Sequence, residues 1–258
     1  LSNVNVLIDS TDAAIPNVPS MSGVKSQKLD SGTTIDLLTG VTAFDVEDGD
    51  ITPVVTVLGP NGETVYDGTD GLWTVTYTAT DSDMNEIVQV AQVVLGTYEA
   101  TTIIANGTFD GEDLTGWVAT ANALNLGASW GEANMTYSDV GANQWDVKLE
   151  AQDLVFENGV TYVVMFDARS NADRQFALSI YDVTASTTVH NSGAIDITAT
   201  GNADWGWTRG FMTVFTYNSD NNSTLEFQVG NFGEGNSAGT QFDIDNVVIY
   251  KLVETTVE

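Results

Sequence analysis

Stretches in which apolar and polar side chains alternate with period two recur along this chain, a rhythm that belongs to strands with one face buried and the other in water. Trp73–Thr80 (WTVTYTAT), Ile87–Leu95 (IVQVAQVVL), Thr161–Ala168 (TYVVMFDA), Phe176–Val183 (FALSIYDV), Phe211–Tyr217 (FMTVFTY) and Leu225–Phe232 (LEFQVGNF) are rich in β-branched and aromatic residues. Clusters of Gly, Asn, Asp and Ser lie between them and supply the turns. No stretch carries a helical stripe with caps. With only 4 prolines and 24 glycines in 258 residues, the pattern predicts an all-β chain of antiparallel sandwiches.

A chain of this length with 42% hydrophobic residues can fill two ordinary cores. The pattern breaks near Gly96–Thr102, which predicts domains at 1–97 and 98–258. The connecting residues GTYEATT are too few for a flexible tether.

Charge narrows the choice of partner. The formal net charge is −29, from 36 acidic and 7 basic residues. Nucleic acid and anionic membrane both need a Lys/Arg stripe that this chain cannot build. Polyanionic ligands are disfavoured for the same reason. No apolar run is long enough to span a bilayer, so no membrane insertion is expected within these residues. The chain opens at Leu1 rather than Met, as expected of a fragment whose signal peptide, anchor or catalytic domain would lie outside it.

Composition also removes several chemistries. Without cysteine there is no disulfide, thiolate nucleophile or Cys-based zinc site. The single histidine, His190 in TTVHNSG, excludes a multi-His metal centre, and no G-x-S-x-G elbow accompanies it. It is read as an exposed residue at a strand end.

Three segments carry a family resemblance. Asn106–Trp117 (NGTFDGEDLTGW) resembles the opening strand, and Phe242–Tyr250 (FDIDNVVIY) the closing strand, of the carbohydrate-binding modules of family 4 and its relatives in families 9, 16 and 22. Between them, Trp145–Ile180 follows the same modules' pattern of a Trp-led strand ending in Gln, a G-x-T-Y turn and a strand closing in F-x-A-R/K. The resemblance implies a jelly-roll β-sandwich that binds sugar without catalysis. In the first half, Thr42–Val57 (TAFDVEDGDITPVVTV) and Gly71–Asn85 (GLWTVTYTATDSDMN) resemble the bacterial immunoglobulin-like repeat of surface proteins. Trp73 stands where that repeat usually has Tyr, and Asp83-Met84 replaces a small residue and Gly. The implied architecture is an immunoglobulin-like β-sandwich, acting as a spacer, followed by the jelly roll.

A pyranose ring offers an apolar face to Trp or Tyr and a rim of hydroxyls to planar polar side chains. Trp117 and Trp207 match core positions of the family pattern. Trp130, in GASWGE, and Trp205, in ADWGW, lie among turn residues and are expected to be exposed. Trp145 leads its strand at the position that in the family commonly approaches the cleft. Gln152 aligns with the family's strand-ending Gln, and Gln228 alternates away from Leu225, Phe227 and Val229. Lys148 stands where the family often has Gln, which leaves the hydroxyl pattern open. Among the three arginines, Arg169 is read as held by carboxylates. Arg174 matches an Arg common in family 4 patterns and is placed at the cleft rim, where its planar fork could bridge two vicinal hydroxyls. The expected ligand-binding set is therefore Trp130, Trp145, Gln152, Arg174, Trp205 and Gln228.

The resemblance also implies a structural calcium ion held by Asp110 and Asp245. In the first half, Asp45, Glu47, Asp48 and Asp50 lack the full EF-hand loop, and both a solvated turn and a metal site stay open there. The functional expectation is non-catalytic binding of β-1,3-glucan (laminarin) or mixed-linkage β-glucan by a monomer, extracellular or on a bacterial cell surface, with an attached glycoside hydrolase domain outside these residues. Alternatives are a xylan-binding module, a surface adhesin that recognises protein, and, least favoured for want of an E-x-D-x-x-E motif, a glycoside hydrolase.

Overall fold

The structure, a computed structural model, describes residues 19–119, 123–129, 131–197, 199, 208–233 and 240–253. Backbone contacts divide the chain between Gly96 and Thr97, one residue before the boundary expected from sequence. Among the described residues there is no α-helix, only strands and two short 3-10 turns.

The first unit contains β1 (Ser20–Ser22), β2 (Gln27–Leu29), β3 (Thr42–Asp45), β4 (Gly49–Asp50), β5 (Val54–Leu58), β6 (Gly71–Thr80) and β7 (Glu86–Leu95). They form two sheets, β1-β3-β4 and β2-β7-β6-β5, antiparallel except for the parallel β2–β7 pair. Alternation along β6 sends Trp73, Val75 and Tyr77 into a core shared with Ala91, Val93 and Leu95. Two polar handles are satisfied by loop carbonyls: Trp73 Nε1 donates to Thr69 O at 2.8 Å, and the Tyr77 hydroxyl to Leu37 O at 2.8 Å. Trp73, fully buried with Tyr66 edge-on at 5.0 Å, thus fills its site. Met84 is exposed and sits at φ 70, in the left-handed region that glycine enters without strain.

The second unit contains β8 (Thr97–Ala100), β9 (Trp117–Ala119), β10 (Ala123–Ser129), β11 (Glu132–Tyr137), β12 (Lys148–Leu154), β13 (Thr161–Ser170), β14 (Arg174–Asp182), β15 (Thr187–Asn191), β16 (Ile195–Ile197), β17 (Thr208–Thr216), β18 (Ser223–Gln228) and β19 (Gln241–Val253). One sheet runs β10-β11-β19-β13-β17 with β8 added to β19, and the other runs β15-β14-β18-β12-β9 with β16 added to β14. Because β12, β13 and β14 alternate between sheets, and β17, β18 and β19 do so again, the unit has the strand exchange of a jelly roll. Its core lies between the sheets around Phe109, Trp117, Phe166, Phe176 and Phe227. Trp117 packs there as expected, with Nε1 donating to Asn106 O at 2.8 Å.

Three details depart from the sequence expectation. Thr97–Ala100 is not connection but strand, paired with β19 from Tyr250 to Val253, so Gly96 alone separates β7 from β8. The strand expected to reach Phe232 stops at Gln228, because the next amides turn to the 3-10 segment before β12: Val229 N donates to Val147 O and Gly230 N to Gln144 O. A Cβ at Gly230 would meet Asn143 O at 2.3 Å, so only glycine allows that approach.

His190 is the third. It is half-buried on β15, stacked on Phe215 at 5.4 Å, with Nε2 2.9 Å from Thr213 Oγ1. Burial lowers its pKa from 6.5. The unfolded chain therefore takes up this proton more readily, and stability that is full at neutral pH falls as pH drops through 6.5 towards the lower folded value. His190→Gln should flatten this part of the melting temperature profile. Parallel wild-type and variant profiles across that interval would contradict the assignment.

Candidate functional site

The sheet β15-β14-β18-β12-β9 turns one face to the core and the other outward, and the outward face is polar. On β18, Leu225 and Phe227 point inward while Thr224, Glu226 and Gln228 take the opposite face. Strand register lays these beside their neighbours: Glu226 lies between Glu150 of β12 and Ser179 of β14, and Gln228 between Lys148 and Ala177. Thr224 pairs with Tyr181, and Glu150 pairs on its other side with Val118 of β9. The small side chains Ala177 and Ser179 lower this floor. Ser179, Thr224, Glu226 and Gln228 are each less than a tenth exposed, so the middle of the face is recessed.

Charge is concentrated in the recess. Lys148 Nζ lies 2.9 Å from Glu150 Oε2 and also pairs with Glu226. Burial by itself would lower the lysine pKa, but hydrogen bonds and charge from Glu226 and Glu150 outweigh it and hold the pKa above 10.5. Lys148 is thus cationic at any physiological pH. Around this triad, Gln228 Nε2 donates to Glu226 Oε2 at 2.7 Å and Gln152 Nε2 to Glu150 Oε1 at 3.1 Å.

Two buried polar atoms on the same face have no protein partner, Gln228 Oε1 and Ser179 Oγ. An unmatched buried polar atom costs about 1–3 kcal/mol, which a hydroxyl-bearing ligand can recover once the side chains covering it shift. Trp145 belongs to the 3-10 turn Gln144–Asp146 that leads directly into β12. The Asn143/Asp146 capping box fixes the turn, and the indole is 53% exposed. An aromatic surface, a hydrogen-bonded charge triad and unfilled hydrogen-bonding atoms therefore come from β12, its leading turn, β14 and β18.

The expected ligand set divides into three groups. Trp145, Gln152 and Gln228 belong to β12, its leading turn and β18, and the two glutamines share the polar face. Trp130 and Trp205 lie outside the described residues.

Arg174 is corrected: it is not at a rim. Only 4% exposed, it begins β14 in phase with Phe176, Leu178 and Ile180, all core residues. Its guanidinium lies over Tyr137 at 5.0 Å and Phe242 at 5.6 Å, donating to Thr240 Oγ1 at 3.0 Å and Val229 O at 2.7 Å. Desolvation lowers its pKa, opposed by Tyr137. The outward neighbour is Gln175, which bonds Asp196 Oδ1 at 2.9 Å. Sequence reading also passed over Glu150, Ser179, Tyr181 and Glu226. Their signal was present, since Ala177, Ser179 and Tyr181 alternate with Leu178 and Ile180.

Arg169 is held by carboxylates as expected, but by Glu132 and Asp243 rather than the adjacent Asp167. Asp110 and Asp245 keep separate hydrogen bonds: Thr108 Oγ1 donates to Asp110 Oδ2 at 2.9 Å, and Asn246 N to Asp245 Oδ1 at 2.6 Å. Their segments are joined by Val247 N donating to Gly107 O at 2.8 Å. Among the described residues, no three acidic or histidine side chains form a ready metal cage.

A family model described as "Carbohydrate binding domain" matches residues 101–238, more than half of the chain. The chain belongs to this carbohydrate-binding domain family. The matched domain is a non-catalytic polysaccharide-binding one, which agrees with a recess suited to hydroxyl groups. No curated protein matches the chain. Among solved structures, one described as "CBM4 structure and function" is 21% identical, with a TM-score of 0.46 over 57% of this chain and 97% of that one. The N-terminal cellulose-binding domain of Cellulomonas fimi β-1,4-glucanase C is also 21% identical, with a TM-score of 0.43 over 58% of this chain and 96% of that one. The CBM22-1 xylan-binding domain of Paenibacillus barcinonensis Xyn10C is 12% identical, with a TM-score of 0.42 over 62% and 99%. No helix among the described residues is long and apolar enough to cross a membrane.

Proposed function

We propose that the outward recess of the second unit binds a neutral β-glucan, laminarin or a mixed-linkage chain first and xylan second. The observation that carries this reading is the pair of buried, unpartnered atoms Gln228 Oε1 and Ser179 Oγ on the face that β12 shares. Two glutamates against one lysine leave the recess negative, which disfavours uronate polymers. Lys148 bridges both glutamates, so neither carboxylate is left as the independent acid or nucleophile that glycoside hydrolysis needs. The proposed mechanism is equilibrium binding: the module tethers a neighbouring catalytic domain to its polymer and raises its local concentration. The first unit acts as an immunoglobulin-like spacer, and the protein works as a monomer outside the cell or on its surface.

Calorimetric titration against laminarin, xylan and alginate tests the reading. Micromolar to millimolar binding of laminarin that is insensitive to salt is expected. Salt-dependent binding of alginate alone would overturn it, and binding to none of the three would favour the protein adhesin.

Calcium at Asp110 and Asp245 is part of the same proposal. Both supply hard oxygen donors, and the Gly107–Val247 hydrogen bond holds their segments together for backbone carbonyls to complete the shell. An ion that binds only the folded state adds about 2.7 kcal/mol at a hundredfold excess over Kd, so chelation should lower the melting temperature of the second unit. Asp245→Ala should abolish that response and leave sugar affinity nearly intact. Equal melting with and without chelator would sink the assignment.

A further inference from the structure

At one end of the first unit, two acidic turns meet. The first follows β3, where Asp45 Oδ1 accepts Glu47 N at 2.7 Å and Asp48 N at 3.0 Å. The second, Asp81–Asn85, joins β6 to β7 and is tied to the first by Ser82 N donating to Asp48 Oδ2 at 2.6 Å. The Glu47 carboxyl faces that of Asp83. This neighbour, then partial desolvation and the charge of Asp45, hold the Glu47 pKa above its ordinary value.

Crowded surface carboxylates would mean little alone, but Asp45 differs from the others. It is 2% exposed, and its second oxygen, Oδ2, is buried without any hydrogen-bond partner. Two turn amides satisfy Oδ1, but the buried oxygen Oδ2 has neither cation nor donor, an unmet demand that costs about 1–3 kcal/mol. The amides of Glu47 and Asp48 hold Oδ1 at 2.7 and 3.0 Å, which places the whole carboxyl group, and with it the orphan oxygen, beside the first acidic turn.

We propose that this pocket binds a hard divalent cation, calcium by its donor set, with Asp45 Oδ2 as inner ligand and the carboxylates of Glu47 and Asp83 closing over it. Glu47 and Asp83 are exposed, so they can reach the ion by changing rotamer, and water and turn carbonyls would complete its shell. The cage is not preformed, which places the affinity in the weak range of extracellular modules, about 0.1–1 mM.

The test is a calcium chloride titration of the whole 15N-labelled chain carrying Asp245→Ala, which removes the site proposed for the second unit. Saturable shifts of the Glu47, Asp48, Gly49, Ser82 and Asp83 amides are expected, weakened about tenfold or more by Glu47→Gln or Asp83→Asn. Both substitutions are at exposed positions, so the fold should be kept, and an unchanged spectrum elsewhere checks it. Absence of saturable shifts up to about 10 mM calcium, or shifts that neither substitution weakens, would overturn the proposal.

Discussion

Replacing Arg169 by alanine should destabilise the second unit by about 3–5 kcal/mol, a large share of the roughly 5–15 kcal/mol that holds an ordinary domain folded. Its Nε bonds Asp243 Oδ2 at 2.9 Å, and its terminal nitrogen pairs with Glu132. Asp243 is wholly buried and Glu132 nearly so. Asn134 and Gln241 also donate to Asp243 but carry no charge. Without the guanidinium, two buried carboxylates would face each other uncompensated. Glu132 already has a raised pKa, through desolvation and then Asp243, with Arg169 opposing the rise. Removing Arg169 should raise it further. An acid with a raised folded pKa binds its proton more tightly when folded, so the variant should regain stability as pH falls through that folded value towards 4.5. Urea unfolding across this range is the measurement. A loss below about 1 kcal/mol at neutral pH would mean that the neutral donors suffice.

Trp145→Ala should weaken laminarin binding by about 1–3 kcal/mol, roughly five- to 150-fold, while leaving thermal stability almost unchanged. The indole is 53% exposed and its turn is capped by Asn143 and Asp146, so the fold does not depend on it. Trp117 makes the contrast. At 5% exposure and packed on Phe109 and Phe227, its loss should damage folding first. Calorimetric titration together with melting curves separates the two effects. Unaltered affinity in a folded Trp145→Ala variant would move the sugar platform elsewhere on the module.

The strand rhythm and the all-β class were legible in the sequence, because period-two alternation records which side chains leave water. Gln228 was placed on the outward face by the same logic, since it alternates with Phe227 and Val229, which flank it and face the core. Arg174 defeated that logic. A charged residue at a strand start was read as solvent-facing, yet its phase with Phe176 and Leu178 takes it into the core, where Tyr137, Phe242, Thr240 and Val229 accommodate it. His190 was misjudged for a related reason: its shielding comes from Phe215 and Thr213 on β17, which the local sequence around it does not record.

The sequence by itself determined which residues form strands and which face most of them present, because those are local properties of alternation and turn chemistry. Only the tertiary structure decided what each face meets. The Lys148–Glu226 pair, the Arg169–Glu132–Asp243 network and the orphaned oxygens of Asp45, Ser179 and Gln228 join residues far apart in the chain or depend on such neighbours. Their partners are set by strand order and register, and those follow from packing two sheets face to face rather than from any single segment.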